Sequence, residues 1–323
     1  MRTLAPERLE LIDALVAEAN IGGITAALLE KDEHLTAALK AVFSLHFEHA
    51  SLVFCGGSSL SKAHGLIERM SEDADIKVVL SQDTKNWPSN QSRRYLGDEV
   101  RGQIIKALQA IGLVEDVRAR RSLNDNRYTL CQWTYHRAYD GIAALRPTLQ
   151  LELTARSPVR PAQMAPLCTL TDRLAARAGD AFSVPVVSVA ETLAEKVLAF
   201  LRRFAQRRIT PMQPDWDTTL VRHIYDVHCI AANRPEVLED AVAAFVDLTA
   251  GDMTEFGYQD AAFAADPQTV LGTALRQVRG DSRSHDEYHR VLLPLVYGEG
   301  KYSFDEAWTS FEPIAERFIS ALR

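Results

Sequence analysis

The sequence lacks the features that mark secreted, membrane-spanning and polyanion-coating proteins. Cysteine occurs four times in 323 residues, at Cys55, Cys131, Cys168 and Cys229, with no close spacing. That excludes a disulfide framework and a paired zinc motif. Three of the four lie in apolar runs, where a thiol behaves as a small hydrophobe. No apolar run is long enough to span a bilayer, so no membrane role is expected. The opening stretch MRTLAPERLELIDALV is charged throughout and has no signal-peptide core. A reducing, cytoplasmic setting is the expectation. Positive charge is not in excess either: 36 Lys and Arg face 43 Asp and Glu, a net charge of −7. Any nucleic acid must therefore be held by a local patch. There is no internal repeat and no low-complexity tract.

What is present suits a soluble globular protein of two domains or one large one, with 47% hydrophobic and 24% charged residues. Residues 6 to 50 show apolar spacing of three and four, which predicts helices. SLVFC, DIKVVL, RYTLCQWTY and TLQLELT read as strands. SLSKAHGLIERM reads as a helix with Leu60, Ala63, Ile67 and Met70 on one face. Residues 83 to 97 read as a loop, and Ser157 to Pro185, with four prolines, as a connector. Beyond it the pattern is helical, opening with a capping box from Ser188 to Glu191. The expected fold class is α+β (mixed α/β): a sheet domain with N-terminal helices over 1–185 and a helical C-terminal domain over 186–323.

The stretch FCGGSSLSKAHGLIERMSEDADIKVVL, residues 54 to 80, carries the chemistry. In a strand, residues i and i+2 share a face. Asp73 and Asp75 therefore project together, while Ile76, Val78 and Leu80 face a core. Two adjacent carboxylates repel unless a cation lies between them. Mg²⁺ fits, since it takes one or two carboxylates plus substrate phosphates. A strand ending in Gly-Gly-Ser-Ser before a helix offers bare backbone N–H groups and two hydroxyls to an anion. It is not a Walker loop, because no Gly-Lys-Ser/Thr follows. In TLQLELT, Leu149, Leu151 and Leu153 alternate with Gln150, Glu152 and Thr154, which puts Glu152 on the polar face. If that strand lies beside DIKVVL, three carboxylates share one surface, enough for a two-metal site. Singly, each element has an ordinary reading: a turn, a surface decoration, a polar-face strand residue. The ordered set is the stronger signal.

In the second half, Lys196 lies on a polar line with Thr192 and Arg203, along a helix otherwise bearing Val189, Leu193, Val197, Leu201 and Phe204. Its ammonium suits a triphosphate as a mobile point charge. The alternative is a surface ion pair, and for Asp226 an intrahelical pair with Arg222. HDEYH sets His285 and His289 at i and i+4, but with Glu287 one place too late for a metalloprotease motif. His223 and His228 share no helical face.

The combination of GGSSLSK and GLIERMSEDADI with ETLAEKVLAFLRR, RHIYDVHCI and YGEGKYSFDEAW closely resembles the AbiEii/AbiGii family of nucleotidyltransferase toxins, which includes the MenT-type toxins. The resemblance runs from about residue 50 onward. It implies a polymerase-β-like nucleotidyltransferase sheet domain in a prokaryotic toxin–antitoxin or phage-defence system, with a separate-chain antitoxin. Residue by residue, it implies that Ser58, within Gly57, Ser58, Ser59 and Lys62, contacts the nucleotide phosphates. Asp73 and Asp75 hold metal, and Lys196 and Asp226 stand as the helical domain's active-site lysine and aspartate. Glu152 as third metal ligand rests on strand geometry alone. The expected reaction is transfer of NMP from an NTP bound between the domains, with Mg²⁺, to an RNA acceptor, foremost a tRNA 3′ end. The alternatives are a protein or small-molecule hydroxyl as acceptor, or a nucleotide-binding module without transfer. Arg202, Arg203, Arg207 and Arg208 form the densest basic run, with Arg203 and Arg207 expected to face the cleft and Arg202 the outside.

Overall fold

The computed structural model describes residues 1–18, 23–177, 179–209, 217–298 and 300–322, without the side chains of 208 and 209. The chain divides into two compact units. One comprises Met1–Val187 with Tyr297–Glu299, the other Ser188–Val296 with Gly300–Arg323.

The first unit is a mixed eight-stranded sheet with helices. Its elements, in order, are α1 (Pro6–Ala17), α2 (Ala26–Phe43), β1 (Ala50–Cys55), α3 (Gly56–Lys62), β2 (Asp73–Leu80), α4 (Ser89–Arg94), a π-helical turn (Tyr95–Arg101) and α5 (Gly102–Ala110). There follow β3 (Val114–Glu115), β4 (Arg121–Leu123), β5 (Tyr128–Thr134), β6 (Leu149–Thr154), β7 (Gln163–Leu167), α6 (Leu170–Leu174) and β8 (Phe182–Val186). The strand order is β3-β5-β6-β2-β1-β8-β7, with β4 paired to β5. Strands β2 and β6 run parallel, as do β1 and β8; the other pairs are antiparallel. Alternation gives the sheet two faces. Phe54, Ile76, Val78, Leu151, Leu153, Cys131 and Trp133 line one, packed with Leu35, Leu39 and Val42 of α2 and Ile104 and Leu108 of α5. The other face carries the polar residues of β2, β5 and β6.

Three expectations need correction. The helix expected over SLSKAHGLIERM ends at Lys62. Gly65, at φ +63°, turns the chain and Leu66 N–H closes on the Leu60 carbonyl at 2.9 Å. Ile67 and Met70 are still buried, but from an irregular segment. The expected loop over 83–97 contains a 3₁₀ turn (Gln82–Asn86), α4 and part of the π-helical turn. The expected connector supplies β7, α6 and β8, the last extending the sheet beside β1. Its Pro166 lies on β7, the edge strand, where a proline is tolerated, and its Pro185 on the adjoining β8.

Helix α2 carries a buried run of charge: Glu30, Lys31, Asp32, Glu33 and His34 are all buried. Taking ions out of water costs several kcal/mol each unless every group is partnered. Here the partners come from far along the chain. Glu30 accepts from the Ala138 and Tyr139 amides at 2.7 and 3.3 Å. Lys31 pairs with Glu72 at 3.2 Å and donates to the Arg146 carbonyl at 2.8 Å. Asp32 accepts from Lys62 and the Leu170 amide at 2.5 and 2.6 Å. Glu33 pairs with Arg8, which also reaches Asp172. Burial raises the Glu30 pKa and lowers that of Lys31.

The second unit is helical: α7 (Val189–Ile209), α8 (Arg222–Asn233), α9 (Leu238–Phe256), α10 (Ala261–Ala265), α11 (Pro267–Val278), α12 (Ser282–Glu287) and α13 (Phe304–Ser320), with short 3₁₀ and π turns. The Ser188 side chain accepts from the Glu191 amide at 3.2 Å, supporting the start of α7. The predicted apolar face, Val189, Leu193, Val197, Leu201 and Phe204, is buried, with Phe200 stacked edge-on to Phe311.

Candidate active site

Pairing register builds a row across the polar face of the sheet. Cys55 stands opposite Asp75, Asp75 opposite Glu152, Glu152 opposite Leu130, and Leu130 opposite Arg121. Opposed residues share a face, and strands lie about 5 Å apart. Asp73, two residues before Asp75, stands opposite Gln150. Three carboxylates therefore occupy neighbouring positions on one surface. Lys77 is on the same face, buried. Asp73 accepts from Arg146 Nη1 at 2.7 Å. Glu152 accepts from Gln150 Nε2 at 2.8 Å and from the Tyr128 hydroxyl at 3.1 Å. Among the described residues, no three His, Cys, Asp or Glu side chains converge as a closed metal shell would require.

The two glycines have separate reasons. Gly56 turns the chain at φ +75°, and a Cβ there would overlap Asp75 Oδ2. A Cβ on Gly57 would lie 2.7 Å from Arg69 Nη2 and 2.9 Å from Ser71 Oγ. So the turn is pressed against a carboxylate on one side and a buried guanidinium on the other. Ser58 is buried and its hydroxyl donates to the Asp73 carbonyl, fixing the turn to the start of β2. Ser59 Oγ donates to the Gly56 carbonyl at 2.8 Å. The Lys62 ammonium is engaged by Asp32.

Arg146 organises the outer edge. Its amide donates to Glu72 Oε1 at 2.5 Å, its carbonyl accepts from Lys31, and its guanidinium reaches Asp73 and Gln150 Oε1, the latter at 3.2 Å. A fully buried Lys31–Glu72 pair thus anchors the loop that sets a cation beside Asp73.

In the helical unit, Lys196 and Asp226 pair with each other at 2.7 Å, with Asp226 fully buried. This is neither of the surface pairings that their sequence neighbours offered. The basic run departs from expectation. Arg202 is the buried member, against Asp252 at 3.1 Å and over the Phe256 ring at 4.0 Å. Arg203 is exposed and 3.2 Å from Asp217, and Arg207 is 3.5 Å from Asp281. Arg202 is turned inward because it packs against Asp252 and Phe256 of α9. The Arg208 side chain lies outside the described residues. His285 rests on Phe304 with ring centroids 3.8 Å apart, and His228 bonds Ser310 Oγ at 2.9 Å.

The sheet unit thus gathers Asp73, Asp75, Glu152, Gly57, Ser58 and Ser59, while the Lys62 side chain turns to α2. Arg146, Arg69, Glu72, Lys31 and Lys77 complete the surroundings without having been singled out from sequence. Lys77 was legible, since it continues the Asp73–Asp75 alternation. Arg146 and Arg69 sit on irregular segments, which carry no periodic signal.

Paired acids on a mixed sheet beside a double-glycine turn could hold a hard cation and phosphate side by side. Residues 37–310 match the family model described as nucleotidyl transferase AbiEii toxin, type IV TA system. The chain belongs to that family: it is a nucleotidyltransferase toxin of a type IV toxin–antitoxin system, using an NTP and partnered by an antitoxin. Among solved structures it is similar to MenT4, a nucleotidyltransferase toxin from Mycobacterium tuberculosis, at 18% identity. That alignment covers 72% of this chain and 73% of the other, with a TM-score of 0.36. No curated protein matches the chain. Among the described residues, no helix is long and apolar enough to cross a membrane.

Proposed function

We propose that this toxin transfers NMP from an NTP to an RNA acceptor, foremost a tRNA 3′ end, using Mg²⁺ in the cytoplasm. The observation that carries the reading is the shared register of Asp75 and Glu152, with Asp73 two residues away on the same face. The donor set fits a hard cation. Mg²⁺ needs only one or two protein carboxylates when phosphates supply other ligands, so a closed three-residue shell is not required. Asp73 and Asp75 would hold it, with Glu152 as the third carboxylate. When bound, it neutralises the triphosphate and favours the deprotonated acceptor hydroxyl.

The acceptor hydroxyl oxygen bonds to the α-phosphorus, and the bond from that phosphorus to the bridging oxygen breaks. Pyrophosphate leaves, and the hydroxyl proton passes to solvent or to a carboxylate of the row. The backbone N–H groups of the Gly56–Ser59 turn receive phosphate oxygens, while the Ser58 and Ser59 hydroxyls hold the turn in shape through the Asp73 and Gly56 carbonyls. Arg69 behind Gly57 adds positive charge. Lys196 and Asp226 act as the functional pair of the helical unit.

The test is incubation of purified protein with labelled NTPs, Mg²⁺ and total tRNA. Label on tRNA supports the reading. Label on protein or a small molecule replaces the acceptor, and NTP binding without any labelled product replaces the transferase with a binding module.

A further inference from the structure

The sequence placed the RNA grip on the arginines of α7, where Arg202 is buried against Asp252. The sheet unit offers another surface. Residues 93 to 127 hold eight Lys and Arg against five Asp and Glu, in a chain of net charge −7. Arg93, Arg94, Arg118, Arg121 and Arg127 are exposed. Arg120 is spent on Glu115, at 2.7 and 2.9 Å.

Arg93 and Arg94 end α4, Arg118 lies in the turn between β3 and β4, and the β4–β5 hairpin that presents Arg121 and Arg127 is tied to its neighbours. Its turn, Asn124–Asp125–Asn126, runs at φ +50°, +54° and +64°. Asn126 donates to the Arg93 carbonyl at 2.9 Å and accepts from Arg101, which also bonds Ser122 at 2.9 Å. The turn is thereby tied to the end of α4 and the π-helical turn. Beside the arginines stand Val117 and Leu123, 62% and 56% exposed.

Register supplies the direction. Arg121 ends the row that runs through Leu130 and Glu152 to Asp75. It lies three strand spacings from Asp75, about 14 Å. Tyr128, opposite Leu123, places an aromatic ring on this face and its hydroxyl on Glu152.

We propose that Arg118, in the turn before β4, and Arg121, at the start of the β4–β5 hairpin, grip the phosphate backbone of the acceptor RNA, whose end runs along the register row toward Glu152 and Asp75. This rests on the RNA-transfer reading above. The charge profile selects the partner class. The face is basic at its outer end and acidic at its inner end. An acidic protein laid along it would be repelled at Glu152 and Asp75. An RNA end brings phosphate to the arginines, a base to Tyr128, and its hydroxyl to the carboxylates with their cation. Guanidinium groups suit both phosphate forks and base stacking.

The test compares the parent, Arg118→Glu/Arg121→Glu, and a charge-matched control at two exposed lysines outside residues 93 to 127, Lys40→Glu/Lys85→Glu. Total tRNA binding is measured across salt concentrations, with label transfer, NTP binding and thermal melting alongside. The arginine variant is expected to bind tRNA at least about tenfold more weakly, with a salt slope lower by about two, at unchanged NTP affinity. The lysine control is expected to follow the parent. If the glutamates lower the melting temperature, Arg118→Gln/Arg121→Gln must show the same direction of change. Parent-like binding and labelling by the arginine variants overturns the proposal. Loss of binding to the antitoxin from the same operon, with RNA labelling intact, overturns it in favour of a protein dock. A parent that neither binds nor labels tRNA is a different failure, that of the RNA reading itself, and removes this proposal with it.

Discussion

Asp75 and Glu152 stand opposite each other on adjacent parallel strands, with Asp73 two residues away on the same face. Like charges this close disfavour joint ionisation. The protein offsets part of that cost through Arg146, Tyr128 and Gln150, and a cation would offset more. Asp75→Asn removes one charge and keeps the shape. Transfer is expected to fall by orders of magnitude while the melting temperature holds or rises. Kinetics and calorimetry on one preparation check this, and full activity in the variant removes the carboxylate row from the mechanism.

Gly56 and Gly65 separate two costs of adding a methyl group. Both have positive φ, but only at Gly56 would the methyl overlap a neighbour; at Gly65 it meets nothing within 4 Å. Gly65→Ala is expected to cost about 1–2 kcal/mol. Gly56→Ala adds the displacement of Asp75 and should cost clearly more while losing transfer. Equilibrium unfolding of the two variants side by side reads the difference; equal losses would contradict the geometry.

The Lys196–Asp226 pair can be tested for function apart from folding. Lys196→Met strands a buried carboxylate and should cost about 3–5 kcal/mol. Lys196→Met with Asp226→Leu removes both charges and should regain most of that stability. Transfer should stay absent in both variants. Recovered activity in the stable double variant would make the pair purely structural.

His34 gives the pH response a signature. It is buried against Tyr135, with ring centroids 4.1 Å apart and neither ring nitrogen hydrogen-bonded. Burial, with the nearby Arg2 charge, lowers its pKa to about 3. The unfolded chain binds a proton near the ordinary value of 6.5 and the folded protein does not. The stability tied to the neutral ring is therefore complete above pH 6.5 and lost as pH falls from there toward 3. His34→Leu should flatten the decline of melting temperature between pH 7 and pH 5. An unchanged slope would show that other groups set it.

The acids and glycines were legible in the sequence because alternation and turn chemistry are local. Asp73, Asp75 and Glu152 each declared a face, and only the adjacency of β2 and β6 had to be found. The buried cations were not legible. Arg146 reaches Asp73 from 73 residues away, and Lys31 reaches Glu72 from 41. The helix expected after Lys62 failed because its apolar spacing arose from residues buried individually around Gly65. The β7–β8 hairpin was hidden by its prolines, which signal a linker unless the strands lie at a sheet border. The outward placing of Arg202 failed because its partners, Asp252 and Phe256, lie 50 or more residues further along the chain.

The buried charges of α2 also set a timetable for synthesis. Their partners lie at Lys62, Glu72, Ala138, Tyr139, Arg146 and Leu170, and Asp172 completes the Arg8 bridge that holds Glu33. On a ribosome adding about 5–20 residues each second, α2 waits on the order of ten seconds before the last of these emerges. Until then four of its polar side chains, Glu30, Lys31, Asp32 and Glu33, do not have their full set of partners, which opposes docking of its apolar face. The run can therefore be satisfied only once about half of the 323 residues are made, and a chain cut short before residue 172 lacks Asp172, the second partner of Arg8.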